Sequence, residues 1–378
     1  MARKIQEFFL VVVPGLEELA TAELKLKWAR LNQVDSEIFG AEPKVTPQKG
    51  GLLIQADLAA GWVLNSHLKI PSRILQRVDR FKAKDFPKLY NKLKKFPWNK
   101  FFREGTVEVK VASSSSRLKI KDRIRETAMK AIRDAQTHQS FRKPHLDVPQ
   151  TLFLRLQDDE AVMSVDTSGD KLHLRGYKPH TVAAPLRETL AAAFYMAAIS
   201  RLKTDPAVVL DPMCGSGTIL FEANAFWKAN SKRRFACQNF PYGPDMMTSD
   251  FRKVSIVPSN VVGWGFDKER TAIEAARQNA DIFGDPSIHF DVGEMEKLTW
   301  KDQGRPLVLL TNPPYNERLK ADHDEIADGL NRLVEKIKPD IAGVIWPGER
   351  SLASLGGKPL LDETHTTNGG LPITMAIY

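Results

Sequence analysis

Leu210-Asp211-Pro212-Met213-Cys214-Gly215-Ser216-Gly217 decides the fold. It follows the strand-like run Ala207-Val208-Val209-Leu210 and opens a helix-like run from Thr218 to Ala229. A strand therefore passes into a helix through small residues, and glycines in such a turn let backbone approach a nucleotide-like ligand closely. A second apolar run, Leu307-Val308-Leu309-Leu310, leads into Thr311-Asn312-Pro313-Pro314-Tyr315. This places an amide, two rigid prolines and an aromatic ring at a strand's carboxyl end, the edge where open α/β sheets bind ligands. Together the two elements imply one site for a cofactor and a planar amine.

Outward from these turns, the chain alternates strand and helix from about residue 181. Helices are expected over Pro185 to Leu202, Thr218 to Ala229, Thr271 to Phe283 and Asp324 to Ile337. Strands are expected over 207–210, Val261 to Phe266, Ile288 to Asp291, 307–310 and Ala342 to Trp346. That rhythm predicts a mostly parallel sheet with helices on both faces, interrupted by a polar, aromatic insertion at 230–258. Towards the amino terminus the pattern differs. A strand (Phe8 to Val13), a helix (Leu16 to Trp28) and a short apolar run after Gly50-Gly51 come first. A hairpin follows later, over Thr151 to Leu156 and Ala161 to Asp166. The helix after Ser113 to Ser116 should turn Leu118, Ile124, Ala128, Ala131, Ile132 and Ala135 inward.

The charge is uneven. The 378 residues hold 55 Lys+Arg and 46 Asp+Glu. Between Lys69 and His145 there are 22 basic and 7 acidic residues, a net of +15, so the remainder carries 33 against 39, a net of −6. Positive charge concentrated in one block reads as a footprint for phosphate backbone. The candidate RNA contacts are Lys82, Lys84, Lys88, Lys92, Lys94, Lys95, Arg117, Lys119 and Arg123. The interleaved Phe81, Phe86, Phe96 and Trp98 are expected in the core. Two cysteines, Cys214 and Cys237, exclude a disulfide framework or a four-cysteine zinc site. No metal-ligand spacing such as His-Glu-x-x-His occurs, so no metal is expected. No stretch approaches the ~20 apolar residues of a membrane span, which leads us to expect a soluble cytoplasmic protein without membrane partners.

Three cofactors suit a glycine turn after a strand. The dinucleotide pattern wants a third glycine where Leu220 stands, and the P-loop wants a Gly-Lys-Ser/Thr that is absent. S-adenosylmethionine remains: its methionine end carries an ammonium and a carboxylate, which the Asp211 carboxylate and the backbone N–H groups of the turn would suit. The Asn-Pro-Pro-Tyr element fits a complementary task. An exocyclic base amine is a poor nucleophile because its lone pair is delocalised into the ring. The Asn312 carboxamide oxygen and the Pro313 carbonyl can each accept one of its N–H bonds and free the lone pair for in-line attack on a methyl sulfonium. The two prolines fix the carbonyl direction, and Tyr315 would stack on an unpaired base.

These residues resemble a known family. Leu174-Arg175-Gly176-Tyr177, then Ala184-Pro185-Leu186-Arg187-Glu188-Thr189-Leu190, the Asp-Pro-Met-Cys-Gly-Ser-Gly-Thr turn and Thr-Asn-Pro-Pro-Tyr are similar to the THUMP-bearing RNA guanine-N2 methyltransferases, closest to the bacterial 23S ribosomal RNA enzymes of the RlmL type. Pro14-Gly15-Leu16-Glu17, Ser72-Arg73-Ile74-Leu75 and Phe96-Pro97-Trp98 extend the likeness over nearly the whole chain. The resemblance implies an α/β fold: a class I, Rossmann-like methyltransferase sheet preceded by α+β ferredoxin-like and THUMP modules. Its implied boundaries are 1–65 with 150–180 for the ferredoxin-like module, 66–149 for THUMP and 181–378 for the catalytic domain. It implies Asn312, Pro313, Pro314 and Tyr315 as the catalytic set. Pro185, Leu186, Asp211, Pro212, Cys214, Gly215, Ser216, Gly217, Thr218, Phe266, Asp267 and Glu294 would be the cofactor set, and RNA the partner (ribosomal, or else transfer RNA).

Three positions depart from the family pattern. Gly263-Trp264-Gly265-Phe266-Asp267 has glycine where a ribose-binding acid is expected, leaving Asp267 to reach the ribose or merely to cap the next helix. Glu294 stands where the family often has Asp near the adenine amino group, and Asn316 follows the motif tyrosine in place of glycine. The same chemistry would serve adenine N6 or guanine in transfer RNA. Gly265 also keeps open a non-catalytic RNA-binding assembly factor.

Overall fold

The computed structural model describes residues 5–143, 146–181, 185–204, 208–230, 233–241, 256, 261–301, 304–314 and 322–378. Tyr315, Asn316, Ala184 and most of the 230–258 insertion lie outside the described residues.

The amino-terminal half is built on one seven-stranded sheet. Its strands are β1 (Ile5–Val11), β2 (Val45–Gln48), β3 (Gly51–Asp57), β4 (Arg73–Lys82), β5 (Glu108–Ser114), β6 (Thr151–Gln157) and β7 (Glu160–Asp166), in the order β2-β3-β1-β4-β7-β6-β5. All neighbours are antiparallel except β5 and β6. The expected hairpin is β6–β7, turning through Asp158 and Asp159 at positive φ. Alternation sorts the side chains. Phe8, Leu10, Ile54, Ile74, Leu152, Leu154, Met163 and Val165 are buried in a core shared with helices α1 (Glu17–Val34), α2 (Ser36–Phe39), α3 (Leu58–His67), α4 (Phe86–Lys95) and α5 (Lys121–Gln136). Leu118 and the expected inward residues of α5 are all buried there, as is Trp98, while Phe86 and Phe96 pack on its edge.

The carboxyl-terminal half carries a second seven-stranded sheet. It comprises β8 (Val208–Asp211), β9 (Val262–Asp267), β10 (Ile288–Val292), β11 (Leu307–Thr311), β12 (Ile341–Pro347), β15 (Asp362–Asn368) and β16 (Leu371–Ile377), in the order β10-β9-β8-β11-β12-β16-β15. The first five are parallel; β16 and β15 add an antiparallel hairpin that the strand–helix rhythm does not reveal. A two-stranded ribbon, β13 (Ser354–Leu355) with β14 (Lys358–Pro359), lies outside the sheet. Helices α6 (Glu188–Ile199), α7 (Thr218–Ala225), α8 (Arg270–Phe283) and α9 (Asp322–Ile337) pack around it. Two helices are shorter than their patterns. In α6 the first residues stay out of the helix, with Arg187 extended at its N-cap. In α7 the chain leaves the helix at Phe226 and buries Phe226 and Trp227. Chain order reverses between β8 and β11, neighbours whose connections leave in opposite directions. Their carboxyl ends therefore frame a crevice.

Among the described residues no helix is long and apolar enough to cross a membrane, and no cluster of His, Cys, Asp and Glu suits a metal ion.

Candidate active site

The crevice is a cavity of about 430 Å³. The glycine turn after β8, the Asp267 loop after β9, the Gly293-Glu294 loop after β10 and the Asn312 loop after β11 all line it, with Pro185 and Leu186 from the segment before α6. It thus gathers Pro185, Leu186, Asp211, Pro212, Cys214, Gly215, Ser216, Thr218, Asp267, Glu294, Asn312, Pro313 and Pro314 from the sequence-derived set.

Gly217 and Phe266 do not line it. Gly217, at φ +86°, caps α7; a Cβ there would lie 2.6 Å from the Phe290 ring, so it serves close packing of helix on strand. Phe266 acts through its backbone, its carbonyl accepting the Cys214 N–H at 2.8 Å. Tyr315 lies outside the described residues. The sequence reading missed Lys268, Glu269 and Glu296, which line the cavity from loops without a motif. Their signal is position alone: each directly follows the end of a parallel strand or its loop.

The turn is held by its own hydrogen bonds. Asp211 Oδ1 accepts the Met213 N–H at 3.1 Å, Asp267 Oδ2 accepts the Gly215 N–H at 2.9 Å, and the Gly217 N–H reaches the Cys214 carbonyl at 2.8 Å. These N–H groups brace the loop. Asp267 Oδ1 also accepts the Glu269 N–H at 2.9 Å, so the carboxylate both orders the entrance to α8 and fastens it to the glycine turn. Outside the loop, Lys178 Nζ donates to the Leu186 carbonyl and the Thr218 hydroxyl, each at 3.0 Å, fixing two walls of the cavity.

Burial raises the Asp211 carboxyl to about 7, helped by the nearby Asp267 charge and opposed by the Met213 N–H and Thr311 hydroxyl. Such a group gains by meeting a cation. Burial also lifts the Cys214 thiol well above its ordinary range, so it is not a thiolate nucleophile at neutral pH. The Asn312 carboxamide oxygen is buried yet has no hydrogen-bond partner among the described residues. A buried acceptor left unpaired costs roughly 1–3 kcal/mol, which is tolerable where a ligand completes it.

A buried carboxyl that would gain from a cation, further carboxylates at the ends of β9 and β10, and an unpaired buried amide in the same cavity fit S-adenosylmethionine. The strand order, which counted from β8 reads 3-2-1-4-5-7-6, and this crevice define a class I methyltransferase that uses S-adenosylmethionine.

Residues 175–375 match the RMKL-like methyltransferase domain family, and residues 83–166 match the THUMP domain. The chain belongs to the RMKL-like methyltransferase family. It is 28% identical to a Synechocystis protein provisionally named RNA methyltransferase slr0064, over 98% of this chain and 96% of that one. It is also 28% identical to ribosomal RNA large subunit methyltransferase K/L of Syntrophotalea carbinolica, over 92% of this chain but 50% of the relative. The chain thus spans about half the length of the K/L relatives it matches. The structure of SMU.472, provisionally described as a methyltransferase and complexed with SAH, superimposes with a TM-score of 0.79 at 21% identity, covering 100% of this chain and 98% of that one.

Proposed function

We propose that the protein methylates the exocyclic N2 of a guanine in structured RNA, with 23S ribosomal RNA as substrate. The names of the K/L relatives, the THUMP domain and the basic block support RNA. The observation that carries the chemistry is the unpaired, buried Asn312 oxygen in the same cavity as Asp211.

S-adenosylmethionine supplies the methyl group on a positively charged sulfur. Asp211, once ionised, would pair with the ammonium of the cofactor, and Asp267 and Glu269, at the end of β9, would accept from its ribose hydroxyls. Asn312 accepts one N–H of the target amine and the Pro313 carbonyl the other, so the nitrogen lone pair leaves conjugation and faces the cavity. Tyr315, outside the described residues, would serve to stack on a flipped base. As part of this reading we assign residues 1–65 with 150–180, 66–149 and 181–378 to the ferredoxin-like, THUMP and catalytic modules.

On the RNA side, Lys82, Lys84, Lys88, Lys92, Lys95, Arg117, Lys119 and Arg123 are exposed and Lys94 half-buried. Lys88, Lys92 and Lys95 share one side of α4, turned away from the stripe of buried Leu89 and Leu93. The test is nucleoside analysis of ribosomal and transfer RNA from cells with and without the gene. Loss of N2-methylguanosine from 23S RNA is expected. Loss of N6-methyladenosine, or of a modification in transfer RNA, would replace the substrate assigned here.

A further inference from the structure

The first sheet has a second face. Residues alternating with the buried core set, including Phe9, Leu53, Leu75, Phe153 and Val162, project away from the helices, and none belongs to the main core. On this side lies a second cavity, also about 430 Å³, whose charged walls are Arg77, Arg80 and Lys82 of β4, Arg155 of β6, and Asp158 and Glu160 at the β6–β7 turn. Four cations against two carboxylates leave +2.

The cations are poorly compensated. A single carboxylate, Glu7, serves both Arg77 at 3.5 Å and Arg80 at 3.3 Å. Arg155 donates to the neutral Gln157 at 3.0 Å, and Lys82 forms no ion pair among the described residues. Arg80 and Arg155 both stand opposite Val162, so their backbones flank β7 two strand spacings apart, about 10 Å. Burial disfavours the charge on Arg77; Glu7 offsets this, and Arg80 and Arg155 add to it. Cations that outnumber the acids beside them on a sheet face gain from a polyanion.

We propose that this cationic groove is a phosphate-binding track for the RNA substrate, separate from the lysine side of α4. It rests on the RNA reading above. The two surfaces meet at one edge. The Ala83 N–H donates to the Asp159 carbonyl at 2.8 Å and the Arg117 N–H to Asp159 Oδ1 at 2.7 Å. The β6–β7 turn thus joins the groove to the Lys82–Lys84 and Arg117–Lys119 segments. One RNA strand bends over that edge, its phosphates passing from Arg117 to Arg80 and Arg155. The contacts are to backbone and carry no base preference of their own.

The test measures anisotropy of a fluorescein-labelled RNA hairpin against salt concentration, with calorimetry for S-adenosylmethionine. R80A/R155A should weaken RNA binding at least ~10-fold and lower the log–log salt slope by about 1–2, since each lost phosphate contact removes ~0.7–0.9. Cofactor binding should not change. Glu7→Gln, which frees two guanidiniums, should tighten RNA binding, an outcome that misfolding cannot imitate. An unchanged salt slope in the double variant, or weaker binding in Glu7→Gln, overturns the groove while the methyltransferase reading stands. A wild-type protein without affinity for the hairpin overturns the groove together with the RNA reading on which it rests.

Discussion

The ring of Phe290 on β10 fills the space into which a side chain at Gly265 on β9 would project. A Cβ at 265 would lie 2.6 Å from Phe290 Cδ1 and 2.9 Å from Leu220 Cδ1. Glycine there follows from packing: the family's acid and this phenylalanine ring cannot share the site. Along β9 the next carboxylate that reaches the cavity is Asp267, two residues on. Gly265→Asp should therefore not tighten cofactor binding. It should destabilise the fold by about 3 kcal/mol or more, from overpacking and a buried charge. Asp267→Ala should weaken S-adenosylmethionine about 10–100-fold, because it also releases the Gly215 turn. Thermal melts and calorimetry on both variants check the pair.

Asp211 gives the site a pH dependence of defined sign. Its carboxyl binds a proton more tightly in the folded chain, at about 7, than at its ordinary 3.8. Stability of the cofactor-free protein should thus be fullest below the ordinary value and fall as pH rises through about 7. Cofactor affinity should move the opposite way, rising over the same range as the carboxylate forms and meets the ammonium. Asp211→Asn should stabilise the cofactor-free protein at pH 8 by of order 1–3 kcal/mol and weaken cofactor binding at least ~10-fold. Melts and calorimetry from pH 5.5 to 8.5 read both trends, and parallel movement of the two would contradict the role given to Asp211.

In the proposed reaction Asn312 serves the acceptor amine and not the cofactor. Asn312→Ala should lower the single-turnover rate of methyl transfer to RNA by about 10²–10³ and leave S-adenosylmethionine affinity within roughly twofold. Because it removes an unpaired buried acceptor, the melting temperature of the variant should not fall. Comparable losses in rate and in cofactor affinity would mean that Asn312 supports the cavity wall and does not hold the amine.

Much of this was legible because period and punctuation agreed. The glycine turn and the Asn-Pro-Pro element each closed an apolar run, and strand alternation places strand ends at one edge, so their meeting in one cavity follows from topology. The closing hairpin escaped a reading tuned to strand–helix rhythm, although Asn368-Gly369-Gly370 between β-branched runs is a turn signal. Lys268 and Glu269 were invisible for another reason: a cavity wall made by chain position has no local pattern. The groove of Arg77, Arg80 and Arg155 depends on pairing between β4 and β6 through β7. Residues that far apart in sequence share a face only once register is known.

The back of the cofactor helix α7 is tied to the amino-terminal half by a buried ionic network. Glu222 accepts from Arg175 Nη2 at 3.0 Å and from the Tyr177 hydroxyl, and Arg175 Nη2 also reaches the Lys69 carbonyl at 2.7 Å. From α1, Lys27 pairs with Glu23 at 2.5 Å and lies 3.9 Å over the Phe226 ring just beyond α7. Burial alone would raise the Glu222 carboxyl, but Arg175, Lys69 and Tyr177 overcome it and hold it below the usual range. Glu222→Ala would leave the buried Arg175 charge without its carboxylate and the Tyr177 hydroxyl without its acceptor, and should cost about 3–5 kcal/mol. Glu222→Gln keeps an acceptor for the tyrosine and should cost less. Since α7 begins at Thr218 in the cavity wall, slack in this anchor should reach the cofactor. At a temperature where Glu222→Gln remains folded, its affinity for S-adenosylmethionine should fall about 3–10-fold while RNA affinity holds. Limited proteolysis should then cut between residues 166 and 188 faster than in the wild type, since the Arg175–Glu222 pair is the ionic link among the bonds that hold that segment to α7.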